Sequence, residues 1–349
     1  MRCWQKSTEL SKPQSAQRFE NSQRVDDGSN KLLPILWRYL TQRVAEKTPS
    51  VVLPLAQPDL SGTDDLLIKL GHSTVLLRLS GLYVLTDPVF GERASPLPFA
   101  GPKRFHAMPL SIEQLPALDA VLISHDHYDH LDKPSVQALA AKTSMFIVPT
   151  GVDRHLRRFG VPAEKITVLS WWQHTQLGPH RIHATPAQHF SGRSLFDRNQ
   201  SLWASFVIES AAGQRLFFSG DSGYFAGFAE IGRAFGGFDL SMMETGAYDE
   251  LWPDIHMQPE QSLRAHLDLG AKFLLPIHNS TFDLAMHAWF EPLQRLATAS
   301  DAYQAQLLTP QFGQTLKLAT LDLELGKNQR WWQALMPVNQ SQDEVLVPL

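Results

Sequence analysis

Three histidines and two aspartates stand within six positions in His125-Asp126-His127-Tyr128-Asp129-His130, directly after the apolar run Ala120-Val121-Leu122-Ile123-Ser124. The whole chain of 349 residues holds 14 His, so chance does not account for a cluster this dense. Neutral imidazole and carboxylate are ligands for Zn²⁺ and other borderline divalent ions. His125 and His127 lie two apart and point the same way in an extended loop. Asp129 and His130 then turn toward a neighbouring position, so one short loop can serve two adjacent metals. Two metals need further ligands, and ligand-type residues end three later apolar runs. His189 closes Pro186-Ala187-Gln188-His189, Asp221 closes Leu216-Phe217-Phe218-Ser219-Gly220-Asp221, and His278 closes Phe273-Leu274-Leu275-Pro276-Ile277-His278. Strand ends that empty into loops are where α/β proteins build their sites.

Regular elements must carry these residues. Short β-type runs are expected at 66–70, 74–79, 83–85, 120–124, 145–148, 181–185, 205–208, 215–219, 240–243 and 273–277. Helices are expected at 134–141, 259–268 and 284–296. Their alternation indicates an α/β fold. Residues 1–31 are polar and read as a loosely ordered arm. In 32–44, Leu33, Leu36, Trp37 and Leu40 recur at helical spacing after an early Pro34, which predicts a helix. It either packs on the main domain or lies in a lipid interface. The division expected is an arm at 1–31, one main domain at 32–336 and a tail at 337–349.

Composition narrows the classes. Hydrophobic residues make up 43% and charged residues 19%, enough for a sizeable core. A formal net charge of −4 argues against a broad nucleic-acid surface. Cys3 is the single cysteine, which excludes a disulfide framework within the chain and a cysteine-based zinc cluster. No stretch approaches the roughly 20 apolar residues of a membrane span, and residues 1–7 lack the apolar core of a signal peptide. The expected location is cytoplasmic, with peripheral contact at the inner face of the membrane left open.

The pattern His125-x-His127-x-Asp129-His130, followed by His189, Asp221 and His278, resembles the metallo-β-lactamase superfamily. That resemblance implies a four-layer αββα sandwich with a dinuclear site at one edge of its two sheets. It assigns His125, His127 and His189 to one metal, and Asp129, His130 and His278 to the other, with Asp221 bridging. The cofactor implied is two Zn²⁺, with Fe or Mn as alternatives. Asp87, ending Tyr83-Val84-Leu85-Thr86-Asp87, resembles the family's carboxylate that orients a ligand histidine. Gly71-His72-Ser73-Thr74, Thr86-Asp87-Pro88-Val89-Phe90, Gly101-Pro102-Lys103-Arg104, Trp171-Trp172, Pro186-Ala187-Gln188-His189-Phe190-Ser191 and Gly246-Ala247-Tyr248 are similar to the branch of N-acylphosphatidylethanolamine-hydrolysing phospholipase D and its bacterial relatives. The chain departs from that branch at Asp126, where Asn is frequent, and over 249–255.

The branch implies phospholipase D-type hydrolysis of N-acylphosphatidylethanolamine or a related phosphodiester by a hydroxide shared between two metals. Asp129 would bind metal and orient that hydroxide. His256 would contact the phosphate or protonate the leaving oxygen, a supporting or surface role being its alternative. His72 and Tyr248 are candidates for substrate contact. Trp171, Trp172 and Phe190 could line a groove for a lipid tail, with core packing as the other role for the tryptophans. A lactonase or thioesterase with the same ligands is the alternative activity, and a non-enzymatic metal-binding protein the third reading. The expected partners are a phospholipid or other phosphodiester and no nucleic acid; a homodimer stays open.

Overall fold

The computed structural model describes residues 18–194, 196–326 and 330–337; Cys3 and most of the 337–349 tail lie outside them. The chain first lays down β1 (Leu66–Gly71), β2 (Thr74–Leu79), β3 (Leu82–Thr86), β4 (Leu118–Leu122), β5 (Thr143–Pro149) and β6 (Ile166–Leu169). The next seven strands are β7 (His174–Leu177), β8 (His180–Thr185), β9 (Ser205–Glu209), β10 (Arg215–Phe218), β11 (Phe238–Glu244), β12 (Ala271–Ile277) and β13 (Gln306–Leu307). A further strand, β14 (Thr315–Lys317), returns to pair with β1, giving among the described residues two seven-stranded sheets ordered β14-β1-β2-β3-β4-β5-β6 and β13-β12-β11-β10-β9-β8-β7.

Alternation along the strands decides the layers. In β1, Leu67 joins Val75, Leu77, Phe206 and Leu240 in a core between the sheets, while Leu66 and Ile68 face outward. The outer face of the first sheet is covered by α2 (Lys133–Leu139) and α3 (Asp153–Arg158) through Val136, Leu139 and Leu156. The second sheet is covered by α4 (Gly227–Phe235), α5 (Pro259–Asp268) and α6 (Glu291–Ala302) through Phe228, Ile231, Leu263, Leu293 and Leu296. The layers are therefore αββα, as expected.

Both sheets change from antiparallel to parallel pairing part-way across. Strands β3 to β6 run parallel in one, and β10 to β13 in the other. Parallel neighbours end on the same side, so β3, β4, β10, β11 and β12 deliver their last residues to one edge.

Four expectations need correction. The helix expected at 284–296 begins only at Glu291, with Pro292 in its first turn. The preceding stretch is drawn into tertiary bonding, as Trp289 N–H donates to Glu46 O at 2.9 Å. Strands β6, β7, β13 and β14 and helices α3 and α4 were not expected; most are short, with too few residues for a period to show. Residues 18–31 are not a loose arm but lie in an ordered path against the loops at 188–200 and 249–256. The helix α1 (Leu32–Thr41) follows them, ending three residues earlier than expected.

Candidate metal centre

The His125–His130 loop leaves β4 and is closed by His130 N–H and Leu131 N–H, both donating to His127 O. Asp132 then caps α2, its side chain accepting from Ser135 N–H. The register of β3 against β4 places Asp87 beside Ser124. The register of β10, β11 and β12 brings Asp221, Glu244 and His278 together. Two backbone positions are demanding. Gly220 has φ +56°, and a Cβ there would stand 2.5 Å from Ser124 Cβ, so only glycine admits this approach before Asp221. His278 itself has φ 61°, a conformation held by its surroundings.

The ligand-type atoms form overlapping groups: His125, His127 and His189 with Asp221; Asp129, His130 and His278 with His72; and Asp221 with His256 and His278. In the first, His127 Nδ1 lies 2.9 Å from His125 Nε2 and 3.2 Å from His189 Nε2. Asp221 Oδ2 is 3.7 Å from His125 Nε2 and 3.8 Å from His189 Nε2. In the second, Asp129 Oδ2 is 3.5 Å from His130 Nε2 and 3.2 Å from His278 Nε2. Asp221 meets that group at 3.1 Å on both His130 and His278. Ligands about 2.1 Å from one tetrahedral ion lie about 3.4 Å from one another, which is the spacing found. His130 Nε2 and Asp221 Oδ1 are buried without a hydrogen-bond partner. Converging lone pairs and orphaned polar atoms fit a pair of divalent cations.

Several rings are fixed from behind. His130 Nδ1 donates to Asp87 Oδ2 at 2.7 Å. The same carboxylate accepts from Ser124 N–H and Ser124 Oγ. Ser124 Oγ in turn accepts from His125 Nδ1 at 2.9 Å, so one Ser–Asp pair holds a histidine of each group. His189 Nδ1 donates to Ile255 O at 2.9 Å. Asp126 is turned away from the centre, accepting from Gly192 N–H and Ser201 Oγ.

The electrostatics divide the groups. Burial, with neighbouring histidine charge, holds His125 well below its ordinary range; burial also holds His189 well below it, against the opposing pull of Asp221. Burial would do the same to His130 and His278, but carboxylates outweigh it. Asp221, Asp129 and Asp87 hold His130 well above its ordinary value, and Asp221 with Asp129 pushes His278 up to about 10.

A family model for the β-lactamase superfamily domain matches residues 83–279, more than half of the chain. The chain belongs to the metallo-β-lactamase superfamily. It is 44% identical over 287 residues to an uncharacterized protein of Mycobacterium tuberculosis, covering 80% of this chain and 76% of that one. It is 34% identical over 246 residues to N-acyl-phosphatidylethanolamine-hydrolyzing phospholipase D 1 of Caenorhabditis elegans, covering 67% and 69%. Among solved structures, a possible metal-dependent hydrolase from Veillonella parvula superposes with a TM-score of 0.59 at 16% identity, covering 73% of this chain and all of that one. This superfamily member is thus a hydrolase of the metallo-β-lactamase fold, carrying clustered His and Asp side chains suited to metal.

A cavity of about 270 Å³ opens on the centre. His127, Asp129, Asp221 and His278 line it, with Phe190, His256, Ala247, Trp252, Ile255, Leu284 and Asp27. Phe190, expected to line a groove, is part of the cavity wall. His72 is buried within the second group, its Nε2 3.2 Å from Asp129 Oδ2. Trp171 packs against the core between the sheets and donates to Trp203 O, and Trp172 points to solvent at φ 68°; neither lines the cavity. Tyr248 is also turned away, its hydroxyl donating to Glu291 Oε1 at 2.7 Å. Three participants were missed. Glu244, fully buried, hydrogen-bonds His256 Nδ1 through Oε1. Ser124, in sequence only the end of an apolar run, links Asp87 to His125. Asp27 lay in the supposed arm. Glu244 could have been sought as a polar residue ending the apolar strand at 240–243; nothing local in the sequence marks Asp27.

Proposed function

We propose that the protein is a dinuclear metal-dependent phosphodiesterase acting, as a phospholipase D does, on N-acylphosphatidylethanolamine or a related lipid phosphodiester. His125, His127 and His189 would hold one ion, Asp129, His130 and His278 the other, with Asp221 within reach of both groups; zinc is the ion proposed. When bound, such a pair supplies a nucleophilic hydroxide at neutral pH and neutralises charge on phosphoryl oxygens.

The observation that carries the reading is the pair Glu244–His256 at the cavity wall. Burial and the nearby Asp221 push the Glu244 carboxyl well above the usual carboxylate range. Burial brings His256 down to about 4. Glu244 Oε1 and His256 Nδ1 are hydrogen-bonded; with one proton between them, His256 would present Nε2–H to the cavity. An alkoxide leaves phosphorus poorly unless it is protonated. His256 Nε2–H donates to the departing oxygen while Glu244 returns a proton to Nδ1. The 34% identity to the C. elegans phospholipase D supports the lipid. So does α1, anchored by Arg38 to Asp249 at 2.7 Å and by Ile35 packed among Trp252 and Ile255 at the cavity. Its Leu33, Leu36, Trp37 and Leu40 point outward, 56 to 80% exposed, which suits peripheral contact with a bilayer. Among the described residues no helix is long and apolar enough to cross one.

The test offers the zinc-loaded protein N-acylphosphatidylethanolamine in mixed micelles, a soluble phosphodiester, a lactone and a thioester. Release of phosphatidic acid is the expected result. Rapid lactone or thioester turnover, with neither phosphodiester cleaved, overturns the reading.

A further inference from the structure

His189 sits four residues beyond the end of β8, where no strand among the described residues pairs with it. Its main chain is nevertheless fully bonded. Asn21 Nδ2 donates to His189 O at 2.7 Å, and His189 N–H donates to Asn21 Oδ1 at 3.0 Å. The carboxamide thus occupies the place of a neighbouring strand, satisfying both backbone groups of a buried residue. Asn21 Oδ1 is itself fixed by Trp203 Nε1 at 3.2 Å. The segment around Asn21 is tied along its length. Phe19 N–H donates to Asn199 O at 2.8 Å, Gln23 Nε2 to Gln188 Oε1 at 2.6 Å, and Asp26 N–H to Asp254 Oδ2 at 2.7 Å. Asp27, paired with Arg198, reaches the cavity beside His127 and Phe190.

We propose that residues 19–28 form a working wall of the metal centre, in which Asn21 is a positioning residue for His189 and hence for the ion held with His125 and His127. The inference rests on the metal reading above and not on the choice of substrate. Two reasons make Asn the fitting side chain. Only a carboxamide offers a donor and an acceptor side by side at this reach. A carboxylate keeps the acceptor for His189 N–H and Trp203 but loses the donor to His189 O. With its backbone held by Asn21 and its Nδ1 by Ile255 O, the ring of His189 has one free direction, toward His127 Nδ1. Partners that orient a ligand in this way set metal affinity by about 10–100-fold.

The experiment compares full-length wild type with Asn21→Leu and Asn21→Asp, loaded with zinc and titrated with a chelator. A second readout is amide hydrogen exchange over residues 186–191 in the metal-free proteins. Asn21→Leu is expected to lose one zinc per chain at 10–100-fold lower chelator concentration, keep the other, and exchange faster over 186–191. Asn21→Asp is expected to fall between, with the His189 amide still protected. Should Asn21→Leu fail to fold, Asn21→Asp decides alone. Wild-type zinc retention together with wild-type exchange, in Asn21→Leu or in a decisive Asn21→Asp, overturns the proposal. Equal loss of both ions overturns it as well, because it marks general loosening and not placement of His189. Neither readout involves a substrate, so a wrong phosphodiester leaves this result standing.

Discussion

The two halves of the metal centre are built on opposite charge plans. The group of His125, His127 and His189 is all imidazole, and burial keeps His125 and His189 neutral. The group of Asp129, His130 and His278 couples imidazoles to carboxylates, and without metal its histidines keep their protons. Positive charge is needed there in either state, because Asp129, Asp221 and Asp87 converge on it. The first half is therefore ready to accept a cation directly, whereas the second must release protons to do so. The supports differ too. Strand ends hold the second half, through Asp87 after β3 and the sharp turn at His278 after β12. The first half leans on loops, on Ile255 O and on the Asn21 carboxamide.

The most severe way to break this contrast is to remove what the halves share. Asp221→Asn removes the one carboxylate charge that both groups share. Activity is expected to fall about 10²–10³-fold, the scale of deleting one preorganised electrostatic group, with metal content per chain reduced. Wild-type turnover by this variant sinks the shared-carboxylate reading. Next in size is Asp87→Asn. It keeps the shape but removes the charge facing His130 Nδ1, and it disturbs Ser124 and through it His125. Metal affinity is expected to drop about 10–100-fold, more at the second half than at the first, as read by competition with a chelator.

Acidity separates the halves with a smaller, graded effect. His278 is protonated in the metal-free protein up to about pH 10, so an ion entering the second half displaces a proton at neutral pH. Affinity there should weaken about tenfold per pH unit for each proton released as pH falls from 8 to 6. The first half, its histidines already neutral, should change little over that range. Zinc titrations at several pH values check this; parallel slopes for both ions remove the distinction.

Much of this centre was legible in the sequence because metal ligands are side-chain types at strand ends, and both are written locally. The His125–His130 cluster, Asp221 and His278 each follow an apolar run, and the structure brings them to one edge. What escaped was set by contacts distant in sequence. Asn21 reaches His189 across 168 positions, and Asp27 is an ordinary polar residue until the chain folds it into the cavity. Trp171 and Trp172 mislead for the converse reason. An aromatic pair suggests a lipid groove, but Trp171 takes the other role weighed for it and packs against the core between the sheets. The apolar side of α1 was visible as a pattern, whereas its outward orientation depends on Arg38, Ile35 and Tyr39 having found partners on the domain.

The smallest expected effect on metal concerns Lys69, which sharpens the comparison from the second side. Its Nζ donates to Pro276 O at 2.8 Å and to Asn279 Oδ1 at 2.9 Å, bracketing His278. Burial without a carboxylate partner brings this lysine down to about 7, against an unfolded value near 10.4. The sign follows from proton counts. Between about pH 7 and 10 the unfolded chain binds the proton and the folded chain does not, so stability contributed at this site rises with pH. Below pH 7 both states are charged and the full cost of burying the ammonium remains. Lys69→Met removes the titrating group. The stability of wild type relative to the variant should therefore grow on the order of 1 kcal/mol per pH unit from 7 to 10, measured by denaturant unfolding of the metal-free proteins. Zinc retention should soften by less than about tenfold at the second half, a weaker effect than losing a direct partner of a ligand, and stay unchanged at the first. A pH-independent difference would show that Lys69 keeps its charge through another group, and an equal loss at both halves would show that the turn at His278 is not what it secures.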